Sequence, residues 1–235
     1  MRSPYALPAL CAATTMLGAS LLALGSARAQ EPSLEQIVAG VQKVYAETRN
    51  FKAKFKQRLS LRATKRKRNA GGFITFQKPN QFRFNYTLGD EKKLIVSDGK
   101  IVWTYIIDDA QMRMDPFDPK LAASLRFLWG DGELKDQFNV TQQSAAWARK
   151  RGFGRKGDLF LELKPKADEG HYKKLIFVVE PASFEVRETI VYDPVGNVNH
   201  MTFINVKRNI VLDPRRFTLK PKSGVQVVKS PELKD

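Results

Sequence analysis

His171 and His200 are the only two histidines in the 235-residue chain. An imidazole titrates near neutral pH and binds metals, so either could act as a base or a ligand. Neither has a carboxylate or cysteine at ligand spacing, and both read as satisfied strand or surface histidines. Asp108-Asp109 could divide acid and base roles between two carboxylates. At the end of a strand, adjacent Asp residues instead make a polar turn. Gly152-x-Gly154-x-x-Gly157 spells a phosphate-cradling pattern. Arg151, Arg155 and Lys156 surround it and no buried strand precedes it, so it reads as a flexible basic loop rather than a dinucleotide site. No G-x-S-x-G elbow, H-E-x-x-H or P-loop is present. The residues therefore offer no catalytic constellation, no metal site and no cofactor site, and a non-enzyme is expected.

The single cysteine, Cys11, lies in an N-terminal segment built for export. Arg2 supplies the positive end, Ala6 to Leu24 is apolar and small, and Ala27-Arg28-Ala29 is an A-x-A cleavage site. The stretch is long enough to span a bilayer, but Pro8, the many small residues and the adjacent cleavage site favour a cleaved signal over an anchor. Leu10 before Cys11 argues against a lipidated cysteine. Residues 1–29 are thus expected to be removed, leaving residues 30–235 as one cysteine-free domain. The loss of Arg2 and Arg28 leaves 38 basic against 24 acidic side chains, a net charge of +14. Such a charge suits anionic lipid headgroups or an acidic partner. Export makes nucleic acid an unsuitable partner.

Ser33-Leu34-Glu35-Gln36 has the form of a helix capping box. Leu34, Ile37, Val38, Val41, Val44 and Tyr45 follow at helical spacing, which predicts an amphipathic helix ending near Thr48. The period then switches to two. Phe51, Ala53, Phe55, Gln57 and Leu59 share one strand face; Lys52, Lys54, Lys56 and Arg58 share the other. Lys65-Arg66-Lys67-Arg68 reads as a solvated hairpin loop or, with the basic strand face, as a contact for an anionic surface. Phe82, Phe84 and Tyr86 alternate with Arg83, Asn85 and Thr87, the pattern of a strand with one apolar and one wet face. Asp98-Gly99 breaks the apolar run from Leu94 to Trp103, a strong hairpin signal. Asp118-Pro119 caps a second predicted helix carrying Leu121, Leu125, Leu128 and Trp129. A short helical turn is expected within Gly132 to Phe138, and from Val140 onward the chain reads as strands. A last short strand is expected at Phe217-Thr218-Leu219, followed by a frayed tail. The sum is mainly β: roughly ten strands in one strongly curved antiparallel sheet, or an open barrel, with two or three short helices laid against it.

Several of these segments, in order, resemble the periplasmic outer-membrane lipoprotein carrier family, LolA. Phe51-x-Ala53-x-Phe55-x-Gln57 is similar to the family's F-x-A-x-F-x-Q strand. Lys78-Pro79-Asn80-x-Phe82-x-Phe84 is similar to its [KR]-P-x-x-[FL]-x-[WF] strand. Val96-Ser97-Asp98-Gly99-Lys100-x-x-Trp103-x-Tyr105 matches its hairpin, and Leu161-x-Leu163-x-Pro165 and Phe217-Thr218-x-x-Pro221-x-x-Gly224-Val225 match its later segments. The resemblance implies an unclosed antiparallel β-barrel, or strongly curved sheet, of roughly ten or eleven strands with a lid of two or three short helices, and an apolar cavity between them that shelters lipoprotein acyl chains. It implies acyl contacts at Phe82, Phe84, Tyr86 and Phe55, while Trp103 and Tyr105 read as structural. It further implies a monomer that takes lipoproteins from an inner-membrane lipoprotein-releasing ABC transporter. An outer-membrane acceptor, LolB-like or another, would receive them. Apart from the resemblance, the basic strand face and the Lys65–Arg68 segment suggest transient contact at membrane surfaces. The family usually has Arg where this chain has Lys78, a position implied to latch the lid. A point charge there replaces a planar fork. A free-lipid or glycolipid shuttle, or a periplasmic lipoprotein-sensing domain, are the alternative functions on the same fold.

Overall fold

A computed structural model describes residues 31–118, 134–167 and 170–233. The described residues open with helix α1, Leu34–Ala46, whose start is fixed by its own side chains. Ser33 Oγ accepts from the Gln36 amide, and the Ser33 amide donates to Gln36 Oε1 at 2.8 Å. This is the capping box expected from the sequence. Ile37, Val38, Val41 and Tyr45 form the buried stripe of α1.

Among the described residues twelve strands follow: β1 Asn50–Ser60, β2 Lys67–Gln77, β3 Gln81–Leu88, β4 Lys93–Asp98, β5 Ile101–Ile106, β6 Gln111–Pro116, β7 Phe138–Gln143, β8 Leu159–Pro165, β9 Lys174–Val179, β10 Val186–Tyr192, β11 Val198–Arg208 and β12 Gln226–Lys229. They form one sheet in the order β12-β6-β5-β4-β3-β2-β1-β11-β10-β9-β8-β7. Neighbours are antiparallel except β12, which runs parallel to β6. The ends of the sheet, β12 and β7, do not pair, so the barrel is unclosed. Register shifts between Lys52 and Lys54 and between Gly71 and Gly72 break the ladders near the centre of the sheet. Such bulges increase local twist and bend a sheet.

The sheet has two differently covered faces. On the inner face, α1 packs with Phe51, Phe55, Phe84, Leu161, Phe177 and Phe203 in the largest core cluster. On the outer face of β8 to β10, Phe160, Ile176, Val178 and Ile190 pack against Ala148 and Phe153. Burial on both faces explains why β8 and β9 read as continuous apolar runs rather than alternations. A third cluster, Val96, Trp103 and Met112, lies on the outer face of β4 to β6, where Leu219 and Val225 of the C-terminal segment cover it. Trp103 and Tyr105 are therefore structural residues on the side away from α1.

Three expectations need correction. Phe217 lies in a 3-10 turn, Pro214–Phe217, not in a strand; Asp213 accepts from the Arg215 amide and the proline favours a helical start. The tail beyond it forms the edge strand β12. The stretch after Val140 includes a helix as well as strands. Ser144 Oγ accepts from the Trp147 amide and starts α3, Ala145–Arg149. The expected turn near Gly132–Phe138 is present as α2, Leu134–Gln137. The predicted helix carrying Leu121, Leu125, Leu128 and Trp129 lies outside the described residues.

Candidate functional site

The aromatic alternation of β3 becomes one wall of a cavity of about 520 Å³. Phe82, Phe84 and Tyr86 all point to the inner face and are buried. Hairpin register aligns the next two strands with them: Phe84 faces Ile95, which faces Thr104, and Phe82 faces Ser97, which faces Val102. The opposite wall comes from Thr189 and Val191 of β10 and Asn199 and Met201 of β11. These strands are separated from β3 in the sheet by β2 and β1. Both groups can line one space because the sheet curves round it.

Gly72 holds the aromatic row together. It lies between Phe55 and Tyr86 in the ladder. With no side chain in between, the Phe55 and Tyr86 rings meet across β2 at 5.0 Å, edge to face. Phe84 joins from the other side, 5.7 Å from Phe55. A Cβ on Gly72 would run into the Asn85 carbonyl oxygen. Phe55 is thus not among the lining residues of the cavity. It stands behind Phe84 and Tyr86 and fixes their orientation, as edge-to-face aromatic pairs do. Phe82 extends the row outward to Phe117, 6.4 Å away.

The cavity is amphipathic rather than wholly apolar. Gln57 sits in its wall and donates to Asn199 Oδ1 at 2.9 Å. Burial pushes the Tyr86 phenol up to about 12, against the opposing hydrogen bond with Gln57. Arg113, Asp115 and Asp118, with Ser230 and Glu232 of the C-terminal segment, bring charge to the side where β6 and β12 end the sheet. Parity along the hairpins could have indicated Ile95 and Val102 from sequence. Met201 and Asn199 could not be found that way, because they reach the site through the pairing of β1 with β11, 142 residues apart at Gln57 and Asn199.

Lys78 reaches α1. Its Nζ donates to the Tyr45 carbonyl at 2.8 Å and to the Ala46 carbonyl at 3.4 Å. The Tyr45 carbonyl also accepts from the Thr48 amide at 3.3 Å, and the Lys78 cation adds a charged donor at the negative end of the helix dipole. Asn209 secures the same helix end, donating to the Glu47 carbonyl at 3.0 Å. Tyr45 itself is buried, its hydroxyl accepting from the Val186 amide at 3.2 Å, and burial raises its pKa.

The basic segment Lys65-Arg66-Lys67-Arg68 is exposed but does not act as one loop. Lys67 and Arg68 begin β2, and they point to opposite faces. Arg68 opposes Leu59 and joins it beside Tyr86 and Ile95, whereas Lys67 opposes Ser60 on the outer face. His171 is exposed and His200 is buried. His200 Nε2 lies 2.8 Å from Glu188 Oε2 and its Nδ1 lies 3.2 Å from an Arg58 nitrogen. The ring also packs edge-on to Phe153 at 5.4 Å. This is a fully engaged histidine, although its carboxylate partner comes from the neighbouring strand, which local spacing cannot reveal. The glycine loop is held by a Gly154 amide donating to Glu188 Oε2 at 3.2 Å. Among the described residues no group of three or more His, Cys, Asp or Glu is placed to hold a metal ion.

Comparison with known proteins matches residues 46–220 to a family described as outer membrane lipoprotein carrier protein LolA. An outer-membrane lipoprotein carrier protein of Nitrosomonas europaea is 29% identical over 184 residues, covering 76% of this chain and 82% of that protein. One from Chromobacterium violaceum is 26% identical over 215 residues, covering 91% and 96%. Among solved structures, an uncharacterized conserved protein from Thermus thermophilus superposes with a TM-score of 0.52 at 14% identity, over 85% of this chain and 100% of that one. At that identity the likeness concerns the fold alone.

Proposed function

The chain belongs to the LolA family of outer membrane lipoprotein carrier proteins, and from that premise we propose that it is a periplasmic chaperone for lipoprotein acyl chains. Its work is to hold those chains non-covalently while the lipoprotein travels from the inner to the outer membrane. The observation that supports this most is the cavity of about 520 Å³ walled by Phe82, Phe84 and Tyr86 inside an unclosed sheet. Each buried methylene contributes about 0.8 kcal/mol, so an acylated N-terminus does not cross water unassisted. A cavity of this size falls in the range of roughly 300–1,000 Å³ typical of small-molecule sites. A multi-acyl anchor needs more room, and the two walls must separate to admit it.

The open edges at β12 and β7 allow such a movement without breaking a closed ladder. Lys78 is the latch in this reading. It ties α1 to the turn between β2 and β3, next to the aromatic row. Residues 1–29 serve as the export signal and are removed. The donor is an inner-membrane lipoprotein-releasing ABC transporter, and the acceptor lies at the outer membrane. Transfer is driven by the difference in affinity among the three sites.

A photo-crosslinking residue placed at Val102, inside the cavity, should capture lipoproteins in the periplasm. The same residue at Val211, which is 100% exposed, should not. Equal capture at both positions would mean that the cavity is not where cargo binds.

A further inference from the structure

The outer face of β11, β1, β2 and β3, opposite the cavity, carries a row of cations. Lys52, Lys54, Lys56 and Arg58 alternate along β1 and all are exposed. Two-residue steps set neighbours about 7 Å apart. Register adds Lys207, directly opposite Lys52 on β11, and Lys67, opposite Ser60 on β2. Among the described residues, none of these five lysines forms an ion pair. Glu188 of the adjoining β10, opposite Thr202, is engaged by His200 and by the Gly154 amide. Like charges facing each other across a ladder destabilise it. A layer of anions laid on the face would remove that cost.

Two apolar side chains stand among these cations. Phe73 lies opposite Lys54, is 40% exposed, and has the Lys54 Nζ 5.9 Å from its ring centroid. Leu88 lies opposite Gly71 and is 68% exposed. Gly71 has no side chain to cover, and a Cβ there would stand 3.6 Å from a Leu88 methyl, so Leu88 leans over the same face. Beside it runs a groove of about 440 Å³ lined by Lys56, Arg58, Asn69, Thr202 and His200. The lysines alone would suit any anionic partner, and Phe73 and Leu88 add exposed apolar surface to them. A bilayer uses both: lysines meet headgroup phosphates while aromatic and aliphatic side chains enter the interface.

We infer that this face is a docking surface for anionic phospholipid bilayers, with Phe73 and Leu88 entering the interface and the groove beside Lys56 and Arg58 seating a headgroup phosphate. The surface is separate from the cavity, and the carrier reading can fail without it.

The test is cosedimentation of protein purified from the periplasm with phosphatidylcholine vesicles, with and without phosphatidylglycerol. Binding should require phosphatidylglycerol and weaken steeply as salt rises. Lys54→Gln with Lys56→Gln should weaken it about 25-fold, from about fivefold per basic residue. Phe73→Ser with Leu88→Ser should remove the part that salt leaves behind. All four positions are exposed, and thermal melting of each variant confirms that it remains folded. The lysine variant should still carry cargo, and Phe82→Glu should still bind vesicles. Equal binding to vesicles of pure phosphatidylcholine, indifference to salt, or no loss in the lysine variant would overturn the inference. Affinity for an acidic polypeptide with none for phosphatidylglycerol vesicles would overturn it too.

Discussion

Tyr86 illustrates the trade made by a wall residue that keeps a hydroxyl. Burial pushes its phenol up to about 12, with Gln57 pulling the other way. An unfolded tyrosine titrates near 10, so the folded state holds this proton more tightly. The contribution is fully present below pH ~10 and is lost as pH rises through ~12. The melting temperature should therefore fall across that window, and Tyr86→Phe should flatten the fall. Tyr45 shifts in the same direction and leaves a residual slope. An unchanged slope in the variant would contradict the assignment. Lys78 gives a second residue-scale prediction. Lys78→Met leaves the Tyr45 carbonyl without its charged donor and should cost about 1.5–3 kcal/mol in urea unfolding, while Lys78→Arg should restore most of it. The position of Lys78 was legible only through the family resemblance, which sets an Arg before the proline, Pro79 here. Its partner was not, because Tyr45 lies 33 residues away and a side chain's reach across a fold leaves no local pattern.

Among the elements, those whose signals are local were readable. Asp98-Gly99 announced the turn between β4 and β5. In the fold Asp98 Oδ1 accepts from the Lys100 and Ile101 amides, both at 2.8 Å, and Gly99 adopts φ 96°, which favours glycine. Helix α1 was readable from its capping box and its apolar period. Helix α3 was not, because five residues are too few to establish a period. Strand β12 was hidden by its exposed side chains and by a parallel partner, β6, far back in the chain. The split of Arg68 from Lys67 follows from strand parity, once β2 is known to begin at Lys67. The element-scale prediction concerns Gly72. Gly72→Val should separate the Phe55 and Tyr86 rings and force β2 from β3 at Asn85, giving a chain that does not reach a cooperative thermal transition. A variant that melts like the parent would show that the close approach of the two strands is dispensable.

At the scale of the whole molecule, one curved sheet presents two unlike faces. The inner face holds an aromatic wall, a polar Gln57–Asn199 pair and a helix secured by Lys78. The outer face is cationic at the centre of the sheet and covered by apolar clusters at both flanks. The general architecture, an unclosed β-sheet with helices against it, was legible in the alternation of residues. That the walls of the cavity meet was not, because curvature depends on bulges and on the long-range pairing of β1 with β11. The carrier account assigns transport to the inner face and places no chemistry in it. It is tested most directly by mass spectrometry of what co-purifies with the protein from the periplasm of its native cell, compared with the Phe82→Glu variant. The account predicts diacylated or triacylated lipoproteins on the parent and their loss from a variant that remains folded. Free phospholipid alone on the parent, or the same lipoproteins retained by Phe82→Glu, would contradict it.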